Sequence, residues 1–227
     1  MLRAPIKESV KRELIPAKSY QAICYAVYDL GTHENEYQGK VSDRREVVLI
    51  FEIPKLRIEY LKDGEPAEGP RVISKQYTFS MNEKANLRHD IDTWFGSLSE
   101  LQAIDFDFES LPGKNALLTI IHREKKNGDK YSAIGSISGL MDGMEELTAE
   151  NPLSFFAFQA PYVDDVGIHF PKEMPDWIQD KIKKSNEYSY ILDAGSDNQE
   201  PLPDEPIYEG SQDGSPVEDT DSNKLPF

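Results

Sequence analysis

The chain has a single cysteine, Cys24, so no internal disulfide can form. A lone thiol inside the apolar run Ala22-Ile23-Cys24-Tyr25-Ala26-Val27 behaves as a small buried hydrophobe. It also argues for a reducing, cytoplasmic setting. No stretch is long and apolar enough to cross a bilayer as a helix. Residues 1–15 are charged and lack the apolar centre of a signal peptide; the expectation is a protein with no membrane partner. The four histidines, His33, His89, His122 and His169, lack metal-ligand spacing. There is no glycine-rich phosphate loop, nucleophile elbow or cysteine pair. His89 with Asp90-Ile91-Asp92 reads as the solvated side of an amphipathic helix. The sequence therefore points away from an enzyme: no catalytic residue, no metal and no cofactor are expected.

Positive charge is scarce too. Lys and Arg number 25 against 41 Asp and Glu, for a net charge of −16. Such a balance weighs against a nucleic-acid partner, but it is unevenly spread. From Asp193 to Phe227 there are ten acidic residues and one basic residue, Lys224, so this segment carries −9 and residues 1–192 carry −7.

Four regions follow from the patterning. Residues 1–18 form a charged arm, rich in Lys and Arg for its length. Residues 19–149 read as a mainly β body. Tyr20 to Leu30 and Arg45 to Ile53 are strands rich in β-branched and aromatic residues, separated by a polar loop from Glu34 to Asp43. Pro54 interrupts the second strand, Leu56 to Tyr60 resumes it, and Lys62-Asp63-Gly64 opens a turn-rich loop reaching Pro70. Arg71 to Phe79 is a third strand. Ser80 and Glu83 have the capping-box spacing ahead of a helix marked by Ala85, Leu87, Ile91, Trp94 and Phe95, which Gly96 stops. Ser97 to Glu100 opens a shorter helical turn. Asn115 to His122 and Tyr131 to Leu140 make a last hairpin around Asn127-Gly128. Three strands, a helix and two strands is the order of an OB-fold, a five-stranded β-barrel. Residues 150–192 are an aromatic-rich appendage, with a helix from Pro175 to Lys184, packed on the barrel or on a partner subunit. Residues 193–227 are too polar to offset their chain entropy and read as a disordered acidic tail.

That tail ends in Leu225-Pro226-Phe227, an apolar triplet with no internal use. A partner can take the Phe227 ring in an apolar pocket and its carboxylate on a cation, Pro226 limits the freedom lost on docking, and Glu218, Asp219 and Asp221 supply attraction to a basic surface. This ending resembles the C-terminal tip of bacterial single-stranded DNA-binding proteins, with Leu225 in place of Ile and Ser222, Asn223 and Lys224 where that family is acidic. Ser80 to Arg88, Trp94-Phe95-Gly96, and Leu111 to Lys114 with Leu117 to His122 resemble a family of phage single-stranded DNA-binding or replication proteins. The resemblance implies a phage-type protein of the host cytoplasm that coats single-stranded DNA with little sequence preference. Through Asp219, Asp221, Leu225, Pro226 and Phe227 it would recruit replication or recombination proteins. A homodimer is a candidate assembly.

A general single-strand binder needs cations for phosphates and aromatic faces for bases. The candidate cations are Lys55, Arg57, Lys75, Arg123, Lys125, Lys126 and Lys130, with His122 beside them. The candidate rings are Tyr25, Tyr28, Phe51, Tyr60, Tyr77 and Tyr131. The densest group is the last hairpin, from His122 to Tyr131. Tyr77 shares its strand face with Arg71, Lys75 and Phe79, a mixture expected on a wet aromatic surface. Phe51 shares a face with Val47, Leu49 and Ile53 and reads as core. The acidic tail is expected to compete with DNA for the basic groove, so its removal should tighten binding. The rival readings are a protein-interaction module or DNA mimic that tethers or inhibits replication proteins, and a metal-dependent nuclease built on dispersed carboxylates.

Overall fold

The computed structural model describes residues 13–37, 39–62 and 64–194. The first twelve residues of the arm, and the acidic segment from residue 195 with Asp219, Asp221, Leu225, Pro226 and Phe227, lie outside the described residues.

Five antiparallel strands form one strongly curled half-barrel sheet in the order β3-β2-β1-β4-β5. They are β1 (Ser19–Tyr37), β2 (Lys40–Lys62), β3 (Glu65–Thr78), β4 (Asn115–Glu124) and β5 (Lys130–Ser138). Between β3 and β4 come α1 (Asn86–Phe95), α2 (Glu100–Ile104) and a 3-10 turn, Phe108–Ser110. After β5 a short strand β6 (Ser154–Phe156) adds to β1 in parallel. A small hairpin of β7 (Val163–Asp164) and β8 (Gly167–Ile168) leads to α3 (Asp176–Ile182) and α4 (Asn186–Ala194).

Both faces of the central segments are buried, which explains why residues 22–30 of β1 and 47–53 of β2 are apolar almost continuously rather than alternating. Val47, Leu49, Phe51 and Ile53 point into the curl with Ala22, Cys24, Leu118 and Ile134, where Leu87, Ile91 and Trp94 of α1 close over them. Burial pushes the Cys24 thiol pKa up, as suits an inert core residue. On the opposite face Tyr28, Leu30, Val48 and Ile50 pack against Phe156, Met174, Ile178 and Ile182 of the C-terminal region. That packing is pinned by polar contacts. Glu52 accepts from the Glu150 and Asn151 amides at 2.6 and 2.9 Å, Glu46 pairs with Lys181 at 2.6 Å, and Thr32 donates its hydroxyl to Glu187 at 2.6 Å. Gly31, at φ +77°, lets α4 approach so closely that a Cβ there would sit 2.5 Å from the Ser185 Cβ.

Because β2 and β4 both run against β1, the β2–β3 and β4–β5 hairpins leave the sheet where β1 begins. The segment before β1 closes this end. Ile15 is buried in the inner core. Its amide donates to Ser132 Oγ at 2.9 Å, and His122 Nε2 donates to its carbonyl at 2.8 Å. The Arg71 guanidinium donates to the Glu13 carbonyl.

Several expectations change. Residues 34–43 are not a polar loop: β1 runs to Tyr37 and β2 starts at Lys40. The polar stretch pairs residue for residue beyond the core, where backbone bonding sustains strands without apolar alternation. The loop expected from Lys62 to Pro70 is mostly strand too, since β3 begins at Glu65; Pro54 survives as a register shift between Ile53 and Arg57. Ser80 and Glu83 do not cap α1. Ala85 holds the cap position without a side-chain bond, and the capping box belongs to Ser99 and Gln102 at the start of α2. Gly96 does end α1, at φ +95°. Pro175 sits one residue before α3 rather than inside it.

Candidate nucleic-acid interface

Among the described residues the β4–β5 hairpin carries the densest exposed cationic group. Glu124 pairs with Lys130 and Arg123 with Tyr131 across the two strands. The turn between them is closed by the Lys125 amide donating to the Asp129 carbonyl at 2.8 Å and the Gly128 amide to the Lys125 carbonyl at 2.9 Å. Arg123, Lys126 and Lys130 are exposed, and Lys125 and Tyr131 half-buried. The Lys125 ammonium stands 5.9 Å from the Tyr131 ring centroid, within cation–π range. Between His122 and Tyr131 four cations meet two carboxylates, Glu124 and Asp129, leaving a local surplus of positive charge on an acidic chain. Lys18, which the sequence did not single out, belongs to the same end. Its carbonyl accepts from the Ile120 amide of β4 at 3.0 Å, and its ammonium lies 5.1 Å from the Tyr20 ring centroid. A Lys two residues before a Tyr at a strand start was the available signal.

The other sequence candidates divide. Lys55 is exposed on the β2–β3 hairpin at the same end of the sheet. Arg57 is exposed there as well, but it bonds Glu68 at 2.8 Å and Glu150. Those two carboxylates raise its pKa and hold it as a brace between β2–β3 and the C-terminal region. Lys75 is not on a wet face. It pairs with Asp90 of α1 at 2.6 Å, beneath the helix. Tyr77, expected on a wet aromatic surface, is 2% exposed and donates to the same Asp90 oxygen at 2.7 Å. The mixed polar face of β3 is real, but α1 covers it, and its charges face a helix rather than solvent. His122 is exposed, but its ring is engaged by the Ile15 carbonyl. Tyr25 and Tyr28 are buried on the outer face of the sheet, and burial pushes the Tyr28 phenol up to about 12. Phe51 is in the core. The rings left to stack bases are Tyr131 and Tyr60, half-buried on their respective hairpins.

A second feature was not read from the sequence. Phe79, Ser80, Met81, Ala103, Ile104, Phe106 and Phe108 line a groove of about 220 Å³ at the opposite end of the sheet. Phe106 stands edge-on to Phe108, and Phe108 edge-on to Phe79, with centroids 5.0 Å apart in both pairs. Phe95 adjoins Phe106 at 5.8 Å. The spacing Phe106-Asp107-Phe108 was the available signal, in a stretch that reads as irregular.

Among the described residues no group of three or more His, Cys, Asp and Glu is placed to hold a metal ion. No helix among the described residues is long and apolar enough to cross a membrane. No protein-family model matches the chain, and no curated protein matches it.

Proposed function

We propose that the chain binds single-stranded DNA with little sequence preference, and that its acidic C-terminal segment recruits replication or recombination proteins. The observation that carries the reading is the β4–β5 hairpin, with Arg123, Lys125, Lys126 and Lys130 around Tyr131. The curled sheet of order β3-β2-β1-β4-β5, with α1 between β3 and β4, is compatible with a β-barrel and supports the reading of an OB-fold. In that fold the β4–β5 loop borders the oligonucleotide path. The resemblance of residues 80–96 and 218–227 to phage and bacterial single-stranded DNA-binding proteins supports the same reading and a phage-type role.

Burial of Tyr25, Tyr28 and Tyr77 changes the mechanism from the one the sequence suggests. Of the six rings named from the sequence, two (Tyr60 and Tyr131) are left for stacking, so phosphate contacts dominate. Such binding is nearly sequence-blind and steeply salt-dependent, because each neutralised phosphate releases counterions. Fluorescence anisotropy with labelled oligo(dT) at low salt tests it. Binding that weakens linearly on a log–log salt plot is expected, and no binding at micromolar protein overturns it.

A protein-interaction module is the second reading, favoured by the apolar surface of α2, where Leu101 and Ile104 are 75% and 78% exposed. Failure of DNA binding together with retention of replication proteins on immobilised chain would establish it.

A further inference from the structure

The aromatic groove beside α2 is unlike the rest of the surface. Its walls are Phe79, Met81, Ile104, Phe106 and Phe108. Exposed Leu101 and Phe95 extend the apolar area on either side. A contiguous exposed patch of this kind marks a docking surface rather than a random scatter of apolar residues. Its border is acidic. Asp105, Asp107 and Glu109 alternate along the chain with the lining residues, and Glu83 and Glu100 flank them. Against these five exposed carboxylates the stretch from Phe79 to Ser110 exposes one lysine, Lys84. Arg45, whose guanidinium stands 5.5 Å from the Phe79 ring, is tied to Asp29 at 2.7 Å. A ligand for this surface carries aliphatic side chains and positive charge. The acidic segment after residue 194 has the wrong sign.

Residues 1–12, Met-Leu-Arg-Ala-Pro-Ile-Lys-Glu-Ser-Val-Lys-Arg, have the required chemistry. Leu2, Ile6 and Val10 recur every four residues among Arg3, Lys7, Lys11 and Arg12, with Glu8 as the one acid. We propose that this arm docks into the aromatic groove of a second copy of the chain.

Reach selects the second copy over the same one. The arm starts from Glu13, whose carbonyl is held by Arg71 near the start of the β3 core pairing. The groove begins at Phe79, eight residues further along the strand, about 26 Å away at the usual rise. A fully extended chain spans about 3.4 Å per residue. From Glu13, Val10 reaches about 10 Å, Ile6 about 24 Å and Leu2 about 37 Å. Within one molecule Val10 falls well short and Ile6 comes level with the near edge only at full extension, so the three apolar residues cannot dock together. Between molecules all three apolar residues reach it, opposite the acidic border. The arm and the groove lie at opposite ends of the sheet, so the contact is head-to-tail and propagates from copy to copy. The inference does not depend on DNA binding, and its test contains no DNA.

Sedimentation velocity on the full chain at low salt, repeated over a concentration series, makes the test. Two full-length variants break one side each: Ile6→Glu with Val10→Glu in the arm, and Ile104→Glu in the groove. Ile104 is 78% exposed, so the last change leaves the core intact. The wild type is expected to form species that grow with concentration and shrink with added salt. Each variant alone is expected to weaken self-association by about tenfold or more. An equimolar mixture of the two, in which one intact arm meets one intact groove, is expected to form a heterodimer and nothing larger. A wild type that stays monomeric at all concentrations overturns the proposal. So do variants that associate like the wild type, or a mixture that stays monomeric, which is also the result that docking within one copy would give.

Discussion

The Tyr77 hydroxyl donates to Asp90 Oδ2 at 2.7 Å, the oxygen that also takes the Lys75 ammonium at 2.6 Å. Three polar groups that a sequence reading turns outward are thus gathered under α1, where they fasten the helix to β3. Removing the hydroxyl in Tyr77→Phe leaves the aromatic packing and deletes one hydrogen bond to a buried carboxylate. The expected cost is about 1.5–3 kcal/mol, the range for a bond to a charged group, read as a lower urea midpoint. Oligo(dT) affinity should not change, because the ring is 2% exposed. A large loss of affinity at unchanged stability would return Tyr77 to the interface.

The outer face of the sheet is secured by Glu52, which is fully buried and accepts from the Glu150 amide, the Asn151 amide and the Asn151 side chain. Glu52→Gln turns one acceptor into a donor that faces N–H groups. An unmatched buried polar group costs about 1–3 kcal/mol. Hydrogen exchange should locate the loss first in residues 150–194, whose packing on β1 and β2 this carboxylate anchors. Protection unchanged there would show that the apolar contacts of Phe156, Ile178 and Ile182 suffice.

These two sites also mark what the sequence could and could not disclose. The five strands, α1, and the inward side of Val47, Leu49, Phe51 and Ile53 are legible because local apolar pattern determines them. Trp94 goes into the core while Phe95 is 42% exposed, although their rings stack with centroids 4.6 Å apart. The hairpins beyond the core were not legible, since Glu34 to Asp43 carries no apolar alternation and holds its strands by backbone pairing. Nor was the fate of the polar face of β3. Arg71, Lys75 and Tyr77 meet solvent or protein according to where α1 lands, and that is decided by long-range packing. The basic hairpin could be located because its residues are contiguous. The aromatic groove could not, because it joins Phe79 and Met81 to residues more than twenty positions away.

Asp92 gives a pH dependence with a definite sign. Partial burial alone would raise its pKa, but the Leu98 amide at 2.9 Å and the Arg88 guanidinium at 2.9 Å outweigh that and hold it below the usual 3.8. A carboxyl depressed in the folded state contributes stability that is present above its unfolded pKa, and loses it as pH falls through the folded value. The stability gap between wild type and Asp92→Asn should therefore be constant from neutral pH to somewhat above 3.8 and shrink below it. Urea midpoints over a pH series check this; a gap that widens on acidification contradicts it.

For the basic hairpin the salt slope is more informative than affinity alone. Each phosphate neutralised on a single strand contributes about 0.7 to the slope of log K against log salt. Lys126→Ala with Lys130→Ala should lower affinity for oligo(dT) and reduce the slope by about 1.4. The exposed positions of both side chains predict little change in stability. Tyr131→Ala should act differently, weakening binding by about 1–3 kcal/mol through lost stacking and leaving the slope nearly intact. Equal slopes for wild type and the lysine variant would move the phosphate path off this hairpin.

The acidic segment and the hairpin have opposite charge, and in the proposed mechanism they compete. The nine carboxylates from Asp197 to Asp221 can be neutralised as Asn and Gln without changing chain length. If the segment occupies the cationic surface in the absence of DNA, neutralisation frees it, and affinity for oligo(dT) should rise by about tenfold at low ionic strength. The gain should fade as salt approaches 1 M, where the screening length is about 3 Å. Combining it with Lys126→Ala and Lys130→Ala separates competition from a general change in net charge. Competition through the hairpin makes the two effects less than additive, because the variant hairpin has less to release. Additive effects would mean that the segment acts on the field of the whole molecule and has no particular place on the sheet.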